Sequence, residues 1–551
     1  LSRNGLNESL VENNSHDTAS KSWSWLFTKL QLSEWGQWIL LAMIVALGFG
    51  LRASYLDATA RDSDENTSLD AIRGILRTGA PIATSGIWYT RGPLYHYAVA
   101  IWLKIFGYSS ENARFVSVIF GTVTLVVVFL LARKFTGKVW LALLVTAILA
   151  IDPWELAISR NTRFYQFLQM NVMFAFWFFA KGFIFKEGKT YQHLFFVSTM
   201  AFLLTQEGYL TLLPCFLIGF LCFYRPFSLK KDWSIILSSA MVLIIFGFNG
   251  IFFLIRCLTP PVGISSGSSV QIKLQLGDIT GFIEGLFVGN SRINVIYSLF
   301  FLLGFGYFLI KRNTKLVFLF SSVCVFLLSI TILVVQISPR YTFAIYPLFV
   351  TLSIYSAFCI LGSLGKILEQ GINNLLPLRA IALFCVAFLF MGNLEPSRVL
   401  AGYQDVLARQ NPQLFDYVKQ HLQPNDVVIA NLPAAAAISL GKLDYFLPSQ
   451  GILSLDGFYL KQGQMIDRWA GGKVINSVDQ FSEVLDKSDR VWIQLDDNPR
   501  PNEPNQRQLY DYARSLGKSV FEPYGVRLRL WQKADGMLPR EINQGKDLGN
   551  Y

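Results

Sequence analysis

Charge is what this sequence has least of. Only 15% of its 551 residues are Asp, Glu, Lys or Arg, whereas 52% are hydrophobic, with 46 Phe and 13 Trp, and the mean hydropathy is +0.40. That balance excludes a water-soluble chain of this length and matches a polytopic membrane protein with a separate polar part. Cysteine is scarce as well. Cys215, Cys222, Cys257, Cys324, Cys359 and Cys385 all lie in or beside apolar runs without ligand spacing, which argues against a disulfide scaffold and a structural zinc site. No HExxH, no GxxxxGK[ST] and no GxGxxG between a strand and a helix occurs, so nucleotide-driven and zinc-hydrolase mechanisms have no support in the sequence. The net charge of +11 raises nucleic acid as a partner, but the basic residues sit in short loops between apolar runs and read as topology signals instead.

What is present is a series of eleven apolar windows: 35–53, 112–132, 139–153, 164–184, 191–206, 208–224, 233–255, 292–310, 316–335, 341–360 and 380–393. Each is apolar enough to cross a bilayer, the shorter ones with help from neighbours. Five basic loops separate them, carrying Arg133, Lys134 and Lys138; Lys181, Lys186 and Lys189; Arg225, Lys230 and Lys231; Lys311, Arg312 and Lys315; and Lys366 and Arg379. Assigning all five to the cytoplasm satisfies the positive-inside tendency. The polar residues 1–22 then form no signal peptide, residues 23–34 make an interfacial lead-in, and residues 396–551 lie outside. The parity requires that 93–107, which opens at Pro93 and is rich in Tyr and Trp, be a juxtamembrane or shallow re-entrant helix on the outer side.

With that sidedness, the charges least at home in a membrane gather at one face. Asp62, Asp64 and Glu65 follow the first span, and Arg91 and Tyr95 come soon after, in outer loop 54–111. Asp152, Glu155, Arg160, Arg163 and Tyr165 occupy the next outer loop, Glu207 the third, and Arg340 and Tyr341 the fifth; 256–291 is the fourth, a longer loop. Any one of these fits helix capping or snorkelling. Their convergence from several loops suits transfer from a phosphate-linked lipid: arginine forks hold the phosphate, and a carboxylate takes a proton from the incoming hydroxyl. Alternatively Asp62, Asp152 and Glu155 share a divalent cation, for which Mg or Mn suits hard oxygen ligands.

Three stretches carry a family likeness: Asp64-Glu65 with Arg91-Gly92-Pro93-Leu94-Tyr95-His96-Tyr97; Phe106-Gly107 to Arg114 with Phe120-Gly121 and Ala132-Arg133; and Ser159-Arg160 with Arg163-Phe164-Tyr165. Together with Pro339-Arg340-Tyr341 and Pro347, these make residues 35–360 resemble the membrane glycosyltransferases of the GT-C fold. The branch is that of the protein O-mannosyltransferases and the lipid A aminoarabinose transferases. The resemblance implies a polyprenyl-phosphate-linked sugar donor, a glycan, lipid or protein acceptor, and inverting transfer on the periplasmic face of a bacterial inner membrane. It implies Asp64 as the catalytic aspartate and Glu65 as its neighbouring acid; Arg91, Tyr95, Arg160, Arg163, Tyr165, Glu207, Arg340 and Tyr341 are the candidate substrate- and phosphate-binding residues. The double proline usual before the juxtamembrane helix is here Gly92-Pro93, and Asp62 is an extra, competing carboxylate. A ligase or polymerase moving a longer glycan from a diphosphate-linked lipid, and less closely a transporter, are the alternatives; no internal repeat supports the last.

The expected architecture is thus an N-terminal segment 1–34, a transmembrane catalytic domain 35–395 and an extracytoplasmic α/β domain 396–551. In the last, strands near Asp426–Ala430, Asp444–Leu447, Val474–Asn476, Arg490–Leu495 and Val520–Trp531 alternate with helices near Leu414–Leu422, Ala434–Leu440, Asp479–Leu485 and Gln506–Leu516. That alternation predicts a small, largely parallel sheet. No glycine-rich turn follows Val427-Val428-Ile429, so no dinucleotide site is expected there. The sidedness is checked by N505C: an impermeant maleimide is expected to label it in intact cells, and labelling only after lysis would reverse the topology.

Overall fold

Inside hydrocarbon every backbone N–H and C=O must be satisfied within its own segment, so long apolar runs become helices. The computed structural model describes residues 33–56, 61, 63–224, 232–258, 292–333, 339–369, 411–448, 458–496, 504–522 and 526–533. Asp62, the lead-in before residue 33, most of loop 256–291 and the window 380–393 lie outside them. The helices before the polar domain are α1 Glu34–Ala53, α2 Ser63–Thr78, α3 Pro93–Phe106, α4 Ser110–Thr136, α5 Val139–Ile151, α6 Pro153–Ser159, α7 Tyr165–Phe179, α8 Lys189–Leu203, α9 Leu213–Phe223, α10 Trp233–Leu258, α11 Arg292–Ile310, α12 Thr314–Leu333 and α13 Tyr346–Glu369. Among the described residues four helical segments are long and apolar enough to cross a membrane: Glu34–Ala53, Ser110–Thr136, Tyr165–Ile184 and Phe343–Ser363. A fifth candidate is the pair α5 and α6, bent by 59°, and shorter apolar helices cover Tyr209–Phe223, Trp233–Ile245, Ile296–Ile310 and Thr314–Ile330. The chain is a polytopic helical membrane protein with a C-terminal mixed α/β domain.

Aromatic side chains fill the bundle, with Phe179, Phe183, Phe195 and Phe216 meeting in tilted and edge-on pairs. One end of it collects the basic loops. Lys134 and Lys181 both pair with Glu187, and the ammonium of Lys315 lies 4.3 Å from the ring of Phe185. Three loops that the charge pattern assigns to one face therefore do meet. Asp64, Arg163 and Arg340 meet elsewhere, around the start of α2.

α3 has 14 residues, a reach of about 21 Å at 1.5 Å per residue, against ~30 Å for a hydrocarbon core. It is too short to span. Its cap explains the missing proline. Gly92 has φ +61°, its N–H donates to the Thr205 carbonyl at 3.1 Å, and a Cβ there would stand 2.7 Å from the ring of Phe164. Proline, fixed near φ −65°, has no access to that conformation.

The polar domain is an eight-stranded sheet: β1 Val427–Ala430, β2 Tyr445–Phe446, β3 Phe458–Lys461, β4 Gln464–Asp467, β5 Lys473–Val474, β6 Arg490–Asp496, β7 Lys518–Phe521 and β8 Val526–Gln532, in the order β3-β4-β5-β2-β1-β6-β8-β7. Only its centre is parallel, in the pairs β1·β2, β1·β6 and β2·β5; both flanks are antiparallel. The expected largely parallel sheet is therefore corrected to a mixed one. Hairpins need no crossover helix, and the one between β3 and β4 turns on Gln462 and Gly463, both at positive φ. Helices α14 Asn411–His421, α15 Pro433–Leu440, α16 Val478–Asp486 and α17 Pro504–Ser515 accompany the sheet. G92A is expected to lower stability by about 1–2 kcal/mol for the left-handed backbone alone, and G92P to prevent folding. Monodisperse G92P after detergent extraction would contradict the cap geometry.

Candidate active site

α2 opens with Ser63-Asp64-Glu65, so two carboxylates stand in its first turn, where the helix dipole favours them. Neighbours on a helix are rotated by about 100°, and here that rotation separates two roles. Glu65 points inward and is buried: its Oε1 accepts from Arg114 Nε at 2.7 Å, its Oε2 from Arg114 Nη2 at 2.6 Å, and Oε1 also takes the N–H of Thr162 at 3.0 Å. Arg114 donates further to the Leu56 carbonyl. This pair ties α2 to α4 and to the turn that carries Arg163.

Asp64 faces the other way, and its carboxylate is 37% exposed. Oδ2 accepts from Arg163 Nη2 at 3.3 Å and from Arg340 Nη1. Arg163 Nη1 also donates to the Asp64 carbonyl at 2.9 Å, to Ser68 Oγ at 3.0 Å and to the Tyr89 hydroxyl at 3.3 Å. Its guanidinium lies 5.5 Å from the ring of Tyr165, and that of Arg340 5.9 Å from the same ring and from Tyr341. Burial by itself would raise the Asp64 carboxyl, but the charges of Arg163, Arg340 and Arg91 outweigh it and hold the group below its ordinary 3.8. Three arginines against one carboxylate leave a formal surplus of two positive charges. Arg340 and Asp64 are both partly open to solvent, so an anion can reach this surplus.

The other sequence-predicted residues fall around this centre in different ways. Arg160 is buried and gives Nη2 to the Tyr55 carbonyl at 2.8 Å. Tyr95 is fully buried, its hydroxyl 2.9 Å from Ser117 Oγ. The Tyr341 carbonyl accepts the Tyr209 hydroxyl at 2.6 Å. Asp152 caps α6, Oδ1 accepting from the N–H groups of Trp154 and Glu155 at 2.9 and 3.0 Å, while Oδ2 accepts the Tyr346 hydroxyl at 3.0 Å. Glu155 is buried, and its Oε1 accepts from Gln169 Nε2 at 2.7 Å. Among the described residues no three His, Cys, Asp or Glu side chains cluster as a metal site would need, and Asp62 is outside them. Glu207 begins a 3-10 turn, Glu207–Leu212. His96 is buried between the rings of Tyr89 and Tyr95; burial first, and then the Arg163 charge, push it down to about 3. It is neutral at physiological pH and unsuited to proton transfer there.

Sequence reasoning passed over Ser68 and Arg52. Ser68 lies one turn after Asp64, the spacing that puts both on one helix face. Arg52 is fully buried and donates to the carbonyls of Gly48, Leu149 and Ala150 at 3.1, 3.1 and 2.9 Å. An arginine closing an apolar span was the available signal.

Comparison with known proteins separates the fold from the chemistry. The family model described as dolichyl-phosphate-mannose-protein mannosyltransferase matches residues 90–251. The structure resembles that of ArnT from Cupriavidus metallidurans bound to undecaprenyl phosphate, at TM-score 0.60 and 13% identity over 90% of this chain and 98% of that one. The chain has the GT-C fold. The same GT-C architecture is seen in the apo form of that ArnT, with TM-score 0.57 and 12% identity over 93% and 98% of the two chains. It recurs in the Archaeoglobus fulgidus oligosaccharyltransferase tethered to an acceptor peptide, with TM-score 0.53 and 12% identity over 84% of this chain and 69% of that one. No curated protein matches the sequence significantly. Within this GT-C fold the Glu65–Arg114 pair is the buried anchor of the site. R114M, which removes the counter-charge of the buried Glu65 carboxylate, is expected to cost about 3–5 kcal/mol, read as a lower unfolding temperature in detergent; an unchanged temperature would contradict the anchoring role.

Proposed function

We propose that this protein is a membrane glycosyltransferase that moves a sugar from a polyprenyl-phosphate-linked donor to an acceptor hydroxyl on the extracytoplasmic face, with inversion. The observation that carries the reading is the surplus of arginine over carboxylate at Asp64, reachable from solvent. The undecaprenyl phosphate bound to the similarly folded ArnT supports the donor class. The wider frame belongs to the same proposal: eleven spans, basic loops inside, domains 1–34, 35–395 and 396–551, and a bacterial inner membrane as the setting.

In this mechanism Arg163 and Arg340 bind the donor phosphate, and Arg91 adds to the field. The acceptor oxygen attacks the anomeric carbon from the face opposite the phosphate. As that bond forms, the bond from carbon to the phosphate oxygen breaks, the electron pair leaves with the polyprenyl phosphate, and the acceptor proton passes to Asp64. The phosphate needs no proton to depart, because the arginines hold its developing charge. Before the donor binds, those arginines make Asp64 a poor base. A phosphate that takes over their charge lets the carboxyl rise again, so that donor binding prepares the base. We assign Glu65, Tyr95, Arg160, Asp152 and Glu155 to the framework of this site. A divalent cation would require Asp62 or another donor beside Asp152 and Glu155, whose oxygens already have protein partners.

The likeness to an oligosaccharyltransferase favours one second reading, transfer of a longer glycan from a diphosphate-linked lipid through the same groove. Purified protein supplied with polyprenyl-phosphate sugars separates the two, since only the first reading expects sugar transfer with release of the lipid monophosphate. D64N is expected to fold and bind donor while losing about 100- to 10,000-fold in rate, and R163K and R340K to weaken donor use because a point charge does not reproduce the fork. The carboxylate–arginine attraction is complete above pH 3.8 and is lost as pH falls through the lower folded value, so Asp64 in the free enzyme contributes no inflection to kcat/KM between about pH 5 and 8. Full activity of D64N would refute the assignment.

A further inference from the structure

Among the described residues the polar domain meets the elements around the site at two points, and one of them touches a partner of Arg163. At the first, Arg73 on α2 gives Nη1 to the Ile438 carbonyl and Nη2 to that of Ala437, both at 3.0 Å. These close the last turn of α15, where a cation is favourable. Asp70, at 2.6 Å, fixes the same guanidinium. The second point is the turn after β4. Asp467 Oδ2 accepts the N–H groups of Trp469 and Ala470 at 3.1 and 2.5 Å, shaping the turn, and the Trp469 carbonyl accepts from the Ser85 N–H at 3.4 Å. Gly471, at φ +82°, lies so close that a Cβ would stand 3.0 Å from Ser85 Cα.

This turn sets the indole of Trp469 edge-on to Tyr89, with ring centroids 5.0 Å apart at 72°. The neutral ring of His96 holds Tyr89 by another edge-on contact, at 5.3 Å and 77°. Tyr89 is 2% exposed, and its hydroxyl takes a hydrogen bond from Arg163 Nη1. Of the acceptors around that nitrogen, Asp64 and Ser68 lie on α2, whereas Tyr89 comes from the irregular segment 79–92. Tyr89 thus anchors this side of the fork from an element other than α2.

We propose that Trp469 is a positioning residue for the Arg163–Asp64 pair, acting through Tyr89, which makes the α/β domain a working part of the catalytic centre. The proposal rests on the reading of Arg163 as a phosphate ligand. The test titrates undecaprenyl phosphate into full-length protein in dodecylmaltoside micelles, comparing wild type with W469A, W469L, W469F, Y89F, W469A/Y89F, R163A and, as a control at an exposed residue of the same domain, K487A. W469A and W469L are expected to raise the dissociation constant about three- to tenfold, the scale of one net hydrogen bond. W469F restores the edge contact and binds near wild type, and K487A is unchanged. Because Trp469 acts through Tyr89, the double variant binds no worse than Y89F alone, a coupling that a merely structural loss would not produce. Wild-type affinity in both W469A and W469L, or additive effects of W469A and Y89F, overturns the proposal; should W469A fail to fold, W469L decides. If R163A also binds like wild type, or wild type does not bind, the phosphate reading falls and this proposal with it. If R163A loses the lipid while the Trp469 variants keep it, this proposal alone falls.

Discussion

One carboxylate held by two arginines is the constraint on which the rest of this structure turns. Asp64 is 99 residues from Arg163 and 276 from Arg340 in sequence, so its surroundings exist only when the first, second and last parts of the bundle are docked together. Ionised groups at a membrane edge are tolerated when they pair or reach water, and here Asp64 and Arg340 pair while staying partly open to solvent. Two guanidiniums converging on one oxygen repel each other, and the arrangement persists because the neighbouring carboxylate does separate work. Glu65, turned inward, cancels Arg114 and grips the N–H of Thr162, fixing the turn from which Arg163 projects.

Below this centre lies a set of buried polar bonds that act as struts. Arg52 joins the end of α1 to the carbonyls closing α5, Asp152 joins the bend after α5 to Tyr346, and Gln169 joins Glu155 to the Phe343 carbonyl. In an apolar bundle such groups are costly unless bonded, so each pair is satisfied at one helix register and unsatisfied at others. Apolar packing tolerates sliding and rotation more readily, and most core side chains here are Phe, Leu, Ile and Val. The struts supply the specificity that such packing lacks, and they cluster at the end of the bundle where the arginines meet.

The polar domain follows soluble rules. Its parallel centre is wound with helices, and its flanks are hairpins, so the sheet grows at both edges without further crossovers. The turn between β4 and β5, in one antiparallel flank, presents Trp469 to Tyr89. Domain and bundle thus share a boundary built of a helix C-terminus on an arginine and a glycine turn against a backbone segment, both of which need close approach rather than large apolar area.

From the sequence alone the helices were legible, because an apolar window is a local property and hydrocarbon leaves the backbone no other choice. The convergence of arginines with the first-loop carboxylates was legible too, since loop charge marks which segments share a face. The strands of the polar domain were readable wherever they alternate with helices, but β3 and β4 were missed, their signal being a two-residue Gln-Gly turn between weakly apolar arms. What tertiary structure alone decided is which of several similar side chains joins the arginine cluster. Asp64 and Glu65 are neighbours of like chemistry, and helix rotation sends one to solvent and the other to Arg114. Arg160 and Arg163 sit three residues apart, yet a backbone carbonyl at Tyr55 claims the first, while Asp64 claims the second. Tyr95 reads like a substrate ligand and is spent on Ser117, whereas Trp469, more than three hundred residues away, packs against Tyr89, the tyrosine that Arg163 bonds. Hydropathy and charge are sums along the chain, but the pairing of a given oxygen with a given nitrogen depends on rotations and distances that only the packed whole defines.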